Sequence, residues 1–413
     1  MGDLLPLLRQ PQDVLREIQI LGERLPAEFW PGTAAAVAAV LDVLQATQTR
    51  QDPLLFEGDG AAALKISGAE LDAAYQHITQ EDFSTLEVGI THLEYLYQSK
   101  LPRAQVNFGE GEQVLARRVY PYRRVGIYLC RQGPSIGNLL RQAVAARVAG
   151  VRERVLVLDY SEKIPPQILV AAQLTGIEEI YRLSGARAIA ALVYGAPPLA
   201  PVECITGVGP PAAMLAKQLL SPWVRTDSLQ ACLRSLTVVD NVEACESLAL
   251  DLLTQAHYHP QGAQAVLTAN STVAKALQDG LRRHYPRFDW GVWTEKSLAH
   301  YGALILLDSL AEAPSWINAL DPEVLTLAVA QPWDWVEKIQ RAQTILIAPQ
   351  APRAALDYGG VSPFLLAPLG FDALASRFDL SLYLKSAQII DYGDQNPARL
   401  TALQAQDSPF RQA

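Results

Sequence analysis

Two successive series of short β-branched runs, separated by helix-length segments, constrain this chain more than any other feature. The first runs RRVGIYL, SIGNLLRQAVAARVAGV, ERVLVLDY, IPPQILVAAQLTG, IEEIYRL, GARAIAALVYG and PVECITGVG, alternating strand and helix character. In the second, SLTVVD, AQAVLTAN, GALILLDS and TILIAP are the strands. VEACESLALDLLTQAH, STVAKALQDGLRRHY and PWDWVEKIQRAQ are its helices. Strands joined through helices pair in parallel by right-handed crossovers, so each series predicts a doubly wound sheet. The predicted fold class is α/β: two Rossmann-like lobes, 123–235 and 236–375, flanking a cleft.

The flanks read differently. Residues 1–122 carry apolar residues at three-to-four spacing, with a Ser67-to-Glu70 capping box opening ISGAELDAAYQHI. This region is predicted helical throughout and expected to pack on the second lobe. Residues 376–413 form a C-terminal extension ending in a polar tail, where the alternating pattern has loosened. GPSIG at 133–137 and GVGPP at 207–211 each fit a helix start offering backbone N–H groups to an anion, or a plain βα turn.

With 413 residues, half of them apolar, the chain can fill more than one core. Its net charge of −9 and lack of a basic run argue against nucleic-acid binding. Cys130, Cys204, Cys232 and Cys245 form no CxxC pair and sit beside no histidine at ligand spacing, which excludes a zinc knuckle. The start, MGDLLPLLRQPQDVL, lacks a basic segment leading into a long apolar core, and no membrane-length apolar run occurs. The expectation is a cytoplasmic protein with no membrane or nucleic-acid partner.

The segment LTGIEEIYRLSGARAIAALVYGAPPLAPVECITGVGP (174–210) closely resembles the histidinol dehydrogenase family. So, in family order, do SLALDLLTQAHYHP, DPEVLTLAV and ALDYGGVSPFLLAP, and the likeness spans roughly residues 65–385. The resemblance implies oxidation of L-histidinol to L-histidine with NAD, a zinc ion that orients the substrate, and a Glu-His pair for proton transfer.

Carried over residue by residue, the match is incomplete. Of the zinc ligands, the Gln falls on Gln255 and the Asp on Asp357, but a His is replaced by Tyr258. A further C-terminal His, contributed across the family's dimer, has no counterpart after His300, so the extension reads as shortened. The catalytic Glu falls on Glu323 and its partner base on Val324. Two substrate-contacting positions hold Leu233 and Phe364. At the NAD positions Tyr128 is retained, while Arg187 stands for Gln and Pro210 for Asn.

Such coordinated loss of base, metal and substrate contacts predicts a silent or repurposed homologue acting as a binding or interaction protein. The alternative is an NAD-dependent oxidoreductase of this family with an altered site or substrate. A third reading is pairing with an intact paralogue. Zinc is not expected, NAD stays open, and the expected partners are a second copy in a homodimer and a small molecule in the inter-lobe cleft. His257 and His259 could rebuild a metal site or lie on the surface at a helix end. Arg187 could bind a phosphate or carboxylate, or pair with Glu178 or Glu179. Glu323 and Asp357 could cap a helix or pair with Arg353, and Glu323 also fits a solvated loop before a strand.

Overall fold

The computed structural model describes residues 5–8, 34–108, 114–130, 135–159, 164–207, 209–227, 234–258, 262–288, 292–342, 344–347 and 380–391. A short strand β1 (Leu7–Leu8) is followed by helices α1 (Ala34–Gln48), α2 (Gly68–His77) and α3 (Gln80–Lys100). Strands β2 (Gln105–Phe108) and β3 (Val114–Pro121) lead into the first lobe. That lobe comprises β4 (Arg124–Cys130), α4 (Ser135–Val148), β5 (Glu153–Asp159), α5 (Pro166–Leu174), β6 (Glu179–Arg182), α6 (Gly185–Tyr194), β7 (Cys204–Thr206), α7 (Pro211–Leu220) and β8 (Arg225–Thr226). The second comprises β9 (Arg234–Val239), α8 (Cys245–Tyr258), β10 (Ala263–Thr268), α9 (Ser271–His284), α10 (Val292–Tyr301), β11 (Gly302–Leu306), α11 (Ala313–Leu320), β12 (Val324–Ala328) and β13 (Thr344–Ile347). A last strand, β14, spans Leu384–Asp391.

Both lobes are parallel sheets of the predicted doubly wound kind. The first has order β6-β5-β4-β7-β8 and the second β1-β11-β10-β9-β12-β13. Counted within each lobe, the strand order is third, second, first, fourth, fifth, so it reverses between β4 and β7 and again between β9 and β12. The central strands are buried on both faces, every residue of β4 and of β12 included, and β12 (VLTLA) is a strand that the second series as read from the sequence does not contain.

The N-terminal region departs from its expectation twice. Its helices pack on the first lobe, not the second: α1 lies on α6 and α7, α2 on α5, and α3 on α4 and α5. The cause is where apolar stripes meet, since Val40 and Leu44 join the core around α6 and α7. Leu86, Ile90 and Leu93 join the one around α4 and α5. Arg147–Glu94 (2.6 Å) and Arg182–Glu70 (2.5 Å) bridge the same seam. Leu7–Leu8, by contrast, pairs in parallel with β11 of the second sheet. The region is also not wholly helical, because β3 pairs antiparallel with β2 on one side and β14 on the other in a third sheet. That sheet is largely exposed, with Phe108 at 80 % and Ile390 at 54 %, so no inside-outside alternation betrays its strands.

The Ser67–Glu70 capping box is formed in both directions. PWDWVEKIQRAQ is helical over Trp333–Val336 and then turns. Among the described residues, no helix is long and apolar enough to cross a membrane.

Candidate functional site

In the second lobe, several family positions gather at the amino ends of the two central strands. Gln255 lies in the last turn of α8, buried, and its Nε2 donates to Ser235 Oγ at 2.5 Å. Ser235 pairs across the sheet with Val324, the first residue of β12. Val324 is fully buried between Ser235 and Thr344. Glu323 directly precedes it, and its backbone carbonyl accepts from Thr344 N–H at 3.0 Å. Glu323 is 2 % exposed, so it is not the solvated loop residue that one expectation had made it.

Tyr258 closes α8 beside exposed His257. Leu233, His259, Arg353, Asp357 and Phe364 lie outside the described residues. The corner therefore joins an amide, a hydroxyl, a buried carboxyl and an apolar strand. A valine side chain can neither take nor give a proton. Among the described residues no group of three or more His, Cys, Asp and Glu side chains could hold a metal ion.

The first lobe presents its carboxyl edge where strand order reverses. Tyr128, near the end of β4, is buried, and its hydroxyl donates a short hydrogen bond to Asp159 Oδ2 at the end of β5. Gly185 N–H, at the first residue of α6, donates to both Tyr128 Oη (3.1 Å) and Asp159 Oδ2 (3.2 Å). Burial, and then the Asp159 carboxylate, push the Tyr128 phenol far above its ordinary range.

Two residues on from Gly185, Arg187 Nε donates to Asp52 Oδ2 at 2.7 Å. Its partner is neither Glu178 nor Glu179; Glu179 holds Arg124 instead, at 2.8 Å. Asp52 is itself buried, and its other oxygen caps the one-turn helix Pro53–Phe56 through Leu54 N–H (3.1 Å).

The turn after β7 is equally committed. Gly207 N–H donates to Asp227 Oδ2 (2.8 Å), and the Gly207 carbonyl accepts from Lys217 Nζ (2.7 Å). Lys217 and Asp227 form a close buried ion pair. Burial pushes the Asp227 carboxyl up, with the Lys217 ammonium and the Gly207 amide opposing it. Gly209 N–H faces Met214 Sδ at 3.1 Å. Pro210, the N-cap of α7, has no N–H to offer.

Asp52, Asp159, Lys217, Asp227 and Ser235 escaped the sequence reading. Three left a legible signal. Asp159 is the acidic residue closing the second strand of a doubly wound unit. Asp52 precedes a proline as helix caps do, and Lys217 is a lone charge inside the apolar segment PAAMLAKQLL.

Two parallel sheets of the same reversed order place this chain among two-lobed α/β proteins built from dinucleotide-fold units. A family model described as histidinol dehydrogenase matches residues 35–406. A histidinol dehydrogenase homolog from Synechocystis sp. is 39% identical over 95% of this chain and 93% of its own length. A histidinol dehydrogenase from Synechococcus sp. is 36% identical over 86% of this chain and 84% of its own. The crystal structure of histidinol dehydrogenase from Elizabethkingia anophelis superposes with a TM-score of 0.84 at 22% identity, covering 98% of this chain and 95% of that one. The chain belongs to the histidinol dehydrogenase family.

Proposed function

We propose that this chain no longer carries out zinc-dependent oxidation of L-histidinol to L-histidine and serves as a binding or interaction protein on the family's scaffold. One observation carries the reading. Where the family's proton-transferring His is expected, Val324 is buried between Ser235 and Thr344, and Gln255 Nε2 donates to that same Ser235. General acid-base chemistry needs a group that titrates near the working pH, within reach of substrate. The residue that follows the buried Glu323 carboxyl is then one that cannot exchange a proton. As typical members of the family are dimers, we propose a dimer here too, with a small molecule between the lobes as its ligand.

Complementation tests this. Expression in a bacterial strain deleted for its own histidinol dehydrogenase is expected to give no growth without added histidine. Growth on L-histidinol alone would refute the proposal. The buried Glu323 carboxyl, kept at its family position, favours a second reading: an oxidoreductase with another substrate. A panel of amino alcohols with NAD distinguishes the two, because reduction of NAD by any of them would favour the second.

A further inference from the structure

A doubly wound sheet offers a dinucleotide a fixed set of groups along its carboxyl edge. The ligand lies where strand order reverses, its phosphates on backbone N–H groups at a helix start, its ribose hydroxyls on an acidic residue closing the second strand. Among the described residues the corresponding groups are Gly185, Gly207 and Gly209 N–H, the Tyr128 hydroxyl, the Arg187 guanidinium and Asp159, all on the first lobe; the turn between β4 and α4, 131–134, lies outside the described residues. Each is already engaged within the chain. Gly185 N–H and the Tyr128 hydroxyl both point to Asp159. Gly207 N–H is held by Asp227, Gly209 N–H by Met214, and Arg187 by buried Asp52.

Sterics close the same edge. Tyr128 is 1 % exposed. The turn after β7 lies flush on it, so closely that a Cβ at Gly207 would meet the Tyr128 backbone carbonyl and one at Gly209 would meet its ring. No face of the phenol is left for an adenine or nicotinamide ring. Pro210, next in line, adds no donor.

We infer that the first lobe keeps a dinucleotide fold but has turned the described part of its ligand edge into internal structure, so that this chain does not hold NAD. The carboxylates of Asp52 and Asp159 occupy donors that a dinucleotide would need. A ligand displacing two such charge-assisted contacts loses about 100-fold or more in affinity. The inference deepens the proposed loss of dehydrogenase activity and rests on that reading. Its test reads binding rather than turnover, so NAD binding without turnover would overturn this inference and leave the other standing.

The experiment is isothermal titration of the full-length protein with NAD and, separately, NADH, on a sample that unfolds cooperatively on heating. The expected result is no saturable isotherm up to about 1 mM, the upper end of ordinary substrate ranges. A saturable isotherm with either nucleotide below that concentration overturns the inference. Hydrogen exchange on the same protein gives a second readout. The Gly185 amide should be protected in the free protein, with protection unchanged by 1 mM-scale NAD (about that concentration, as above). Protection that appears only when NAD is added overturns it equally.

Discussion

At the scale of single residues, the decisive events are changes of chemical type in fixed places. Lys217 and Asp227 show what remains. A lysine 1 % exposed is tolerated because a carboxylate and a backbone carbonyl meet it. Lys217→Met would leave the Asp227 carboxylate buried without its counter-charge, at a cost of about 3–5 kcal/mol. Urea denaturation should show that loss, and Lys217→Met with Asp227→Asn should recover part of it. A single variant as stable as the parent would show that the pair carries no stability. The proposed replacements at Val324 and Pro210 are legible in the sequence, since a valine or a proline there offers no group for proton transfer or hydrogen-bond donation. The partner of Arg187 was not: Asp52 lies 135 residues away, and a pair so distant leaves no trace in local pattern.

At the scale of elements, the turn after β7 and the cap of α2 carry the sharpest expectations. Gly207 has φ +112°, and its Cα lies against the Tyr128 carbonyl. Gly207→Ala should therefore cost several kcal/mol, from strain and from the forced shift of β4 together. Soluble yield and melting temperature check it; an unchanged melting temperature would contradict the geometry. Glu70 joins the capping box of α2 to Arg182 on β6, and those hydrogen bonds hold its carboxyl down at about 2, against an ordinary 4.5. A depressed folded-state value means stability present above pH 4.5 and lost as pH falls toward 2. Because the carboxyl is part exposed, the loss is expected at about 0.5–1 kcal/mol. In Glu70→Gln that part of the pH slope should vanish, and acid titrations of the two proteins that superimpose would dispose of the assignment. The element pattern was readable mainly where burial imposed a period. Strand β4, buried along its length, reads as a strand, whereas β12 (VLTLA), equally buried, stands outside the four strands read in the second series. Strands β2, β3 and β14, exposed along most of their length, gave no period to read.

At the scale of the whole molecule, the same strand order occurs twice, and the first lobe is clasped by the N-terminal helices α1–α3. Large hydrophobic cores under both sheets hold the lobes whatever the ligand edges do. They underlie a fold that matches a histidinol dehydrogenase structure at a TM-score of 0.84. Local composition made the two lobes legible, but not where the N-terminal helices dock, which depends on which apolar stripes meet in three dimensions. The proposed loss of dehydrogenase chemistry on an intact scaffold stands or falls on turnover. Its most direct test is NADH formation by the purified full-length chain with L-histidinol, NAD and added zinc. The account predicts a rate equal to the protein-free blank, and sustained zinc-dependent formation of NADH would contradict it.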